Sequence, residues 1–158
     1  VYLTLSQQET ICRGNTSLAA PGGEQGEGER DRGYRVILFG TVQYDDCVYD
    51  PEKSSSGLEE VMAAVNTETE SGIVLLCGNS DLRSARKCPA AVNEEGNFLL
   101  SHTRAARVAH YVERNKDSNL PPQTIIAYPT ATQLNKRSVQ IYFVGTMNHS
   151  ELIAGDQP

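Results

Sequence analysis

Tryptophan is absent from this chain, and no apolar run approaches the roughly 20 residues a membrane-crossing helix needs. The longest runs, 36–39 and 73–77, have the length of buried strands instead. Positive charge is scarce: 14 Lys and Arg face 20 Asp and Glu, a formal net charge of −6. Nucleic acid and anionic lipid are therefore not expected as main partners, because both require basic surface to meet phosphate. Also missing are a C-x-x-C pair, closely spaced metal ligands and any recognisable paired carboxylates. Thiol–disulfide exchange, metal catalysis and hydrolysis lack their usual groups, so no catalytic residue, metal or cofactor is expected and the chain does not read as an enzyme. For His102, His110 and His149 no second ligand appears at usable spacing, so no metal role is expected.

Hydrophobic residues make up 39% of the 158 and charged residues 22%, the balance of an ordinary soluble protein of one domain with extensions. The chain opens at Val1 with neither an initiator Met nor a signal-like apolar region, so a mature or trimmed form is the expectation. Cys12, Cys47, Cys77 and Cys88 permit two disulfides in an oxidising compartment, with three connectivities open; four buried thiols in a reducing one is the plainer alternative. Asn15 and Asn148 each begin a glycosylation sequon, a motif too short to carry weight.

Along the chain, 1–5 reads as a short strand and 13–33, rich in Gly and Glu, as a linker that cannot bury enough apolar surface to offset its entropy. The main domain is expected at 34–145, after an N-terminal region of 1–33 and before a polar tail of 146–158. A β-rich run at 34–44 comes first. Leu58, Val61, Met62 and Val65 then recur at the spacing of one buried helical face, with Ser56 and Glu59 as a capping box. The continuous run at 73–77 reads as an inner strand. A second helix is expected to be capped by Ser101 and to bury Ala105, Val108, Ala109 and Val112. Strands at 124–128 and 139–144 complete a β-α-β-α-β-β order.

Arg104 is the most informative residue. A cap at Ser101 places it in the first helical turn, where a cation opposes the helix dipole unless an anion answers both. Guanidinium and free helix amides would together receive a carboxylate. Asp81, just past the end of an inner strand, occupies the kind of position that carries ligand contacts in open α/β sheets. An acid and a base on neighbouring element ends suit a zwitterion; the plain alternative is a turn residue and a surface ion pair.

The residues Gly78-Asn79-Ser80-Asp81, and then Asn97-Phe98-Leu99-Leu100-Ser101-His102-Thr103-Arg104-Ala105-Ala106-Arg107-Val108, resemble the pattern G-(H/N)-(T/A/S)-D-x-x-G-x-x-x-x-N-x-x-L-S-x-x-R-A-x-x-V of OmpA-like domains, which include the peptidoglycan-associated lipoprotein. Asn135-Lys136-Arg137-Ser138-Val139 is similar to the N-R-R-x-V that opens the last strand in the lipoprotein branch. The resemblance covers roughly 34–144. It implies an α+β fold with helices on a mixed four-stranded sheet, and a periplasmic, outer-membrane-associated location.

In the family the Asp and the helix Arg, here Asp81 and Arg104, clamp the amino and carboxylate groups of diaminopimelate in the peptidoglycan stem peptide. By the same resemblance Asn79, Ser80, Asn97 and Ser101 shape the pocket or cap the helix, and Arg137 supports its wall. The implied function is non-catalytic anchoring of an envelope protein or complex to peptidoglycan. The alternative is a structural subunit of an envelope-spanning secretion or stator machine, partnered by other envelope proteins, that has lost this binding. Two departures from the pattern stand out. Ser84 replaces the turn Gly, and Asp81 to Asn97 spans sixteen steps against eight in the pattern. The longer segment would cover the pocket, add cationic contacts or move Asp81. Cys77 precedes this segment and Cys88 lies within it, which suggests that the two bond and staple it to the strand end, leaving Cys12 to Cys47.

Overall fold

The computed structural model describes residues 2–17, 34–45, 47–80, 96–132 and 137–146. Their elements run α1 (Leu5–Cys12), β1 (Tyr34–Gln43), a 3-10 turn (Pro51–Lys53), α2 (Leu58–Thr67), β2 (Gly72–Ser80), α3 (Gly96–Asn115), β3 (Gln123–Thr132) and β4 (Ser138–Thr146). The class is α+β. From β1 onward the alternation follows the expected order, and α1 is added in front.

Four strands form one sheet in the order β1-β4-β2-β3. β4 is antiparallel to both β1 and β2, while β2 and β3 are parallel and are joined through α3. Parallel neighbours need such a crossover, because a tight turn can only reverse the chain. The last strand in the chain is thus a central one. Consecutive residues of β4 are buried on opposite sides, with Ile141 and Phe143 facing α2 and α3 and with Tyr142 and Val144 facing α1.

The helix-side core is built by periodicity. Val61 and Val65 of α2 are fully buried and Leu58 and Met62 pack beside them, the face expected from their spacing. From α3 come Val108 and Val112, which meet Val74 and Leu76 of β2. Phe39 stacks on Phe143 at 5.5 Å between ring centres, at the bulge that interrupts β1 between Leu38 and Gly40.

The opposite face carries a separate apolar cluster in which Leu3, Ile11 and Cys12 cover Ile73, Leu75, Cys77, Tyr142 and Val144. A disulfide joins Cys12 to Cys77, with Cα atoms 5.4 Å apart, and pins α1 to the middle of the sheet.

Four expectations are corrected here. The strand expected at 1–5 is not seen over its described residues 2–5: Thr4 caps a helix that starts at Leu5, its hydroxyl accepting from the Gln7 amide while the Gln7 side chain accepts from the Thr4 amide. The Cys77–Cys88 and Cys12–Cys47 pairing fails, because Cys77 is bonded to Cys12; Cys47 is disulfide-bonded as well, to a partner outside the described residues. Ser56 does not cap α2. Gly57 does, in a left-handed conformation where an added Cβ would lie 1.9 Å from the Thr41 carbonyl oxygen, so only glycine fits. Ser101 is not a cap either, since α3 begins at Gly96 and Ser101 is buried inside it.

The expected linker lies outside the described residues over 18–33, as do the long segment over 81–95 and the tail from 147. Among the described residues no helix is long and apolar enough to cross a membrane.

Candidate functional site

β2 ends where it meets α3, and glycine makes the meeting possible. A Cβ at Gly78 would fall 2.1 Å from the Ser101 carbonyl oxygen and 2.9 Å from the Ala105 side chain, so strand and helix touch through backbone. Asn79 follows, fully buried. Its side-chain amide donates to the Cys77 carbonyl at 3.2 Å, and its side-chain oxygen accepts from the Thr130 hydroxyl of β3.

Arg104 is the largest fully buried side chain of the described residues. A buried guanidinium is costly unless its donors are matched. Here Nη1 donates to the Asn79 carbonyl at 3.1 Å, Nε to the Val48 carbonyl at 2.8 Å and Nη2 to the Asp45 carbonyl at 3.2 Å. The Tyr44 ring adds a π face, 4.9 Å from the guanidinium carbon. One side chain therefore ties α3 to the end of β2 and to the connection after β1. Because α3 starts at Gly96, Arg104 lies in the helix interior rather than the first turn, and among the described residues its donors meet backbone carbonyls.

The connection after β1 lies along α3. Leu100, Arg104 and Arg107 repeat at i, i+4 and i+7, a single helical stripe. Leu100 packs against Cys47 and Tyr49, Arg104 holds the Asp45 and Val48 carbonyls, and the Arg107 guanidinium sits 5.4 Å from the centre of the Tyr49 ring. The Tyr44 amide donates to the Arg137 carbonyl at 2.8 Å, so the start of β4 backs the same corner.

Tyr44 itself is buried, and its hydroxyl has no hydrogen-bond partner among the described residues. Desolvation raises its pKa well beyond the usual tyrosine range; the Arg104 cation opposes that shift and Asp50 adds to it.

Of the expected site residues, the structure brings Asn79, Ser101 and Arg104 together and places Arg137 behind Tyr44. Ser80 ends β2 and Asn97 lies in the first turn of α3. Asp81 falls outside the described residues. The sequence reading missed Tyr44, Asp45, Val48, Thr130 and Arg107. The i, i+4, i+7 spacing of Leu100, Arg104 and Arg107 is the signal from which Arg107 could have been found; backbone acceptors such as Asp45 and Val48 leave no mark in side-chain identity.

No family model, curated protein or solved structure matches this chain.

Proposed function

We propose that this chain is an OmpA-like domain that binds the diaminopimelate-bearing stem peptide of peptidoglycan without catalysis, and so anchors an envelope protein or complex in the periplasm, at the outer membrane. The observation that carries the proposal is the bond from Arg104 Nη1 to the Asn79 carbonyl. It draws the α3 half of the motif onto the end of β2, two residues before Asp81. Element order, the mixed sheet and a disulfide suited to an oxidising compartment support the same reading. A carboxylate at position 81 would take the ligand ammonium while cationic groups of α3 attract its carboxylate. Weak single-site affinity suffices, since many copies facing one polymer raise the effective concentration.

One observation favours the second reading, a structural subunit of an envelope machine that has lost binding: Arg104 is fully buried and bonded to three carbonyls, as a structural cation is.

Calorimetric titration of the full chain with a diaminopimelate-containing muropeptide separates the two. Saturable binding that Asp81→Asn abolishes without shifting the unfolding midpoint is the expected result. No binding by the unaltered chain would overturn the anchoring role and leave the structural one. Arg104→Ala is unsuitable as the sole test, because it removes three buried hydrogen bonds and disturbs the fold along with any site.

A further inference from the structure

On the solvent side of the same connection lies a cleft of about 260 Å³, lined by Cys47, Val48, Tyr49, Asp50, Lys53 and Arg107. Its walls carry two cations and one carboxylate. Among the described residues neither Arg107 nor Lys53 takes part in an ion pair. Asp50 uses one oxygen to accept from the Glu52 amide at 3.1 Å, and a carboxylate retains further acceptor capacity beyond that single bond. Tyr49 supports the face of the Arg107 guanidinium, which is still exposed, and a stacked guanidinium keeps its N–H edge for in-plane acceptors. The floor is fixed as well: Val48 is held by Arg104, and Cys47 by a disulfide and by Leu100. At this volume the cleft accepts an end group rather than a whole drug-sized ligand.

We infer that this cleft is a contact site for the end of an amino-acid-like zwitterion, with Arg107 and Lys53 receiving a carboxylate and Asp50 an ammonium. Arg104 is sealed beneath the connection, so the guanidinium that meets a ligand from solvent is the one a helical turn further on. The inference deepens the stem-peptide reading and rests on it only for the identity of the peptide; the charge arrangement of the cleft stands on its own.

NMR titration of the full chain tests this with two probes, a diaminopimelate-containing muropeptide and 6-aminohexanoate, a plain zwitterion unrelated to peptidoglycan. Both are expected to shift the side-chain signals of Tyr49, Lys53 and Arg107. Arg107→Ala should weaken both by about tenfold, the loss typical of a charge-assisted hydrogen bond. Arg107→Lys should restore part of that loss, and Arg114→Ala, an exposed arginine further along α3, should leave binding unchanged. Unfolding midpoints confirm that each variant is folded. If the muropeptide binds while its shifts lie elsewhere and Arg107→Ala has no effect, the cleft assignment is overturned and the stem-peptide reading survives. If only 6-aminohexanoate binds, in an Arg107-dependent way, the cleft stands and the stem-peptide reading falls. Silence from both probes overturns both.

Discussion

The two faces of the sheet are covered in different ways. On one side α2 and α3 bring apolar stripes of two and more turns to bear on Val74, Leu76, Ile141 and Phe143. On the other, a helix of eight residues and the segment just before it bring little more than Leu3, Ile11 and Cys12. Isolated helices this short are marginal in water. What α1 lacks in apolar area the Cys12–Cys77 bond makes up by keeping it close: a crosslink across a sequence separation of 65 stabilises by about 4 kcal/mol in the chain-entropy model. Packing holds the first face, and covalent proximity holds the second.

The sharpest way to break this contrast is to remove the crosslink. In Cys12→Ala/Cys77→Ala, about 4 kcal/mol of stability should be lost. Amide exchange should become fast over residues 2–12 while α2 and α3 stay protected. A helix α1 that keeps its protection would show that packing alone retains it. Peptide mapping of the unaltered protein under non-reducing conditions should return Cys12 with Cys77. By count it should leave Cys47 to Cys88.

Two adjacent residues of β2 sharpen the comparison further. Leu75 and Leu76 are both fully buried but belong to opposite faces. In the crosslinked protein, replacing either with Ala should cost about 2–5 kcal/mol by denaturant unfolding. Without the crosslink, Leu76→Ala should keep its cost. Leu75→Ala should fall below about 1 kcal/mol, because a side chain already facing water leaves no cavity when it is trimmed. Equal costs in that background would refute a difference between the faces.

The smallest effect concerns pH. Burial raises the pKa of Tyr44 on the helix side and of Tyr142 on the α1 side. Each unfolded tyrosine loses its proton near pH 10, and its folded counterpart keeps it to higher pH. Above pH 10 the unfolded state therefore binds fewer protons, and stability, complete below that pH, declines as pH rises, by up to about 1.4 kcal/mol per pH unit for each tyrosine. Tyr44→Phe should remove the larger part of this decline, because the more strongly raised group keeps its proton over the wider pH range. At pH 7 it should change stability by no more than about 1 kcal/mol, since the hydroxyl it deletes has no partner among the described residues. A cost above 2 kcal/mol at pH 7 would reveal a bond to that hydroxyl.

The helix-side face was legible in the sequence because a periodic stripe is a local signal: Leu58, Val61, Met62 and Val65 announce α2, and the run from Ile73 to Cys77 announces an inner strand. The start of α3 was misjudged because Ser101 resembles a cap, although Leu100 continues the Arg104 stripe upstream. The α1 face was harder. Val1, Tyr2 and Leu3 have strand propensity, while the Thr4 and Gln7 pair that starts a helix is equally local and was overlooked. Disulfide pairing is a property of the folded chain, and an even count of cysteines leaves it open. In the site, Arg104 was identified by its type and position, but its burial depends on carbonyls of residues nearly sixty positions away, and no motif records those.

Gly78 has one more consequence. Where a contact between helix and sheet is spaced by side chains it can be loosened or tightened by changing them, whereas this one is set by main-chain atoms. Nothing smaller than glycine exists to relax it, and anything larger drives the Ser101 turn outward. Arg104 sits one turn beyond Ser101, while the Asn79 carbonyl it grips comes directly after Gly78. A single methyl group at 78 would thus pull donor and acceptor apart from both ends at once, so the position of the buried cation is decided by a residue that has no side chain at all.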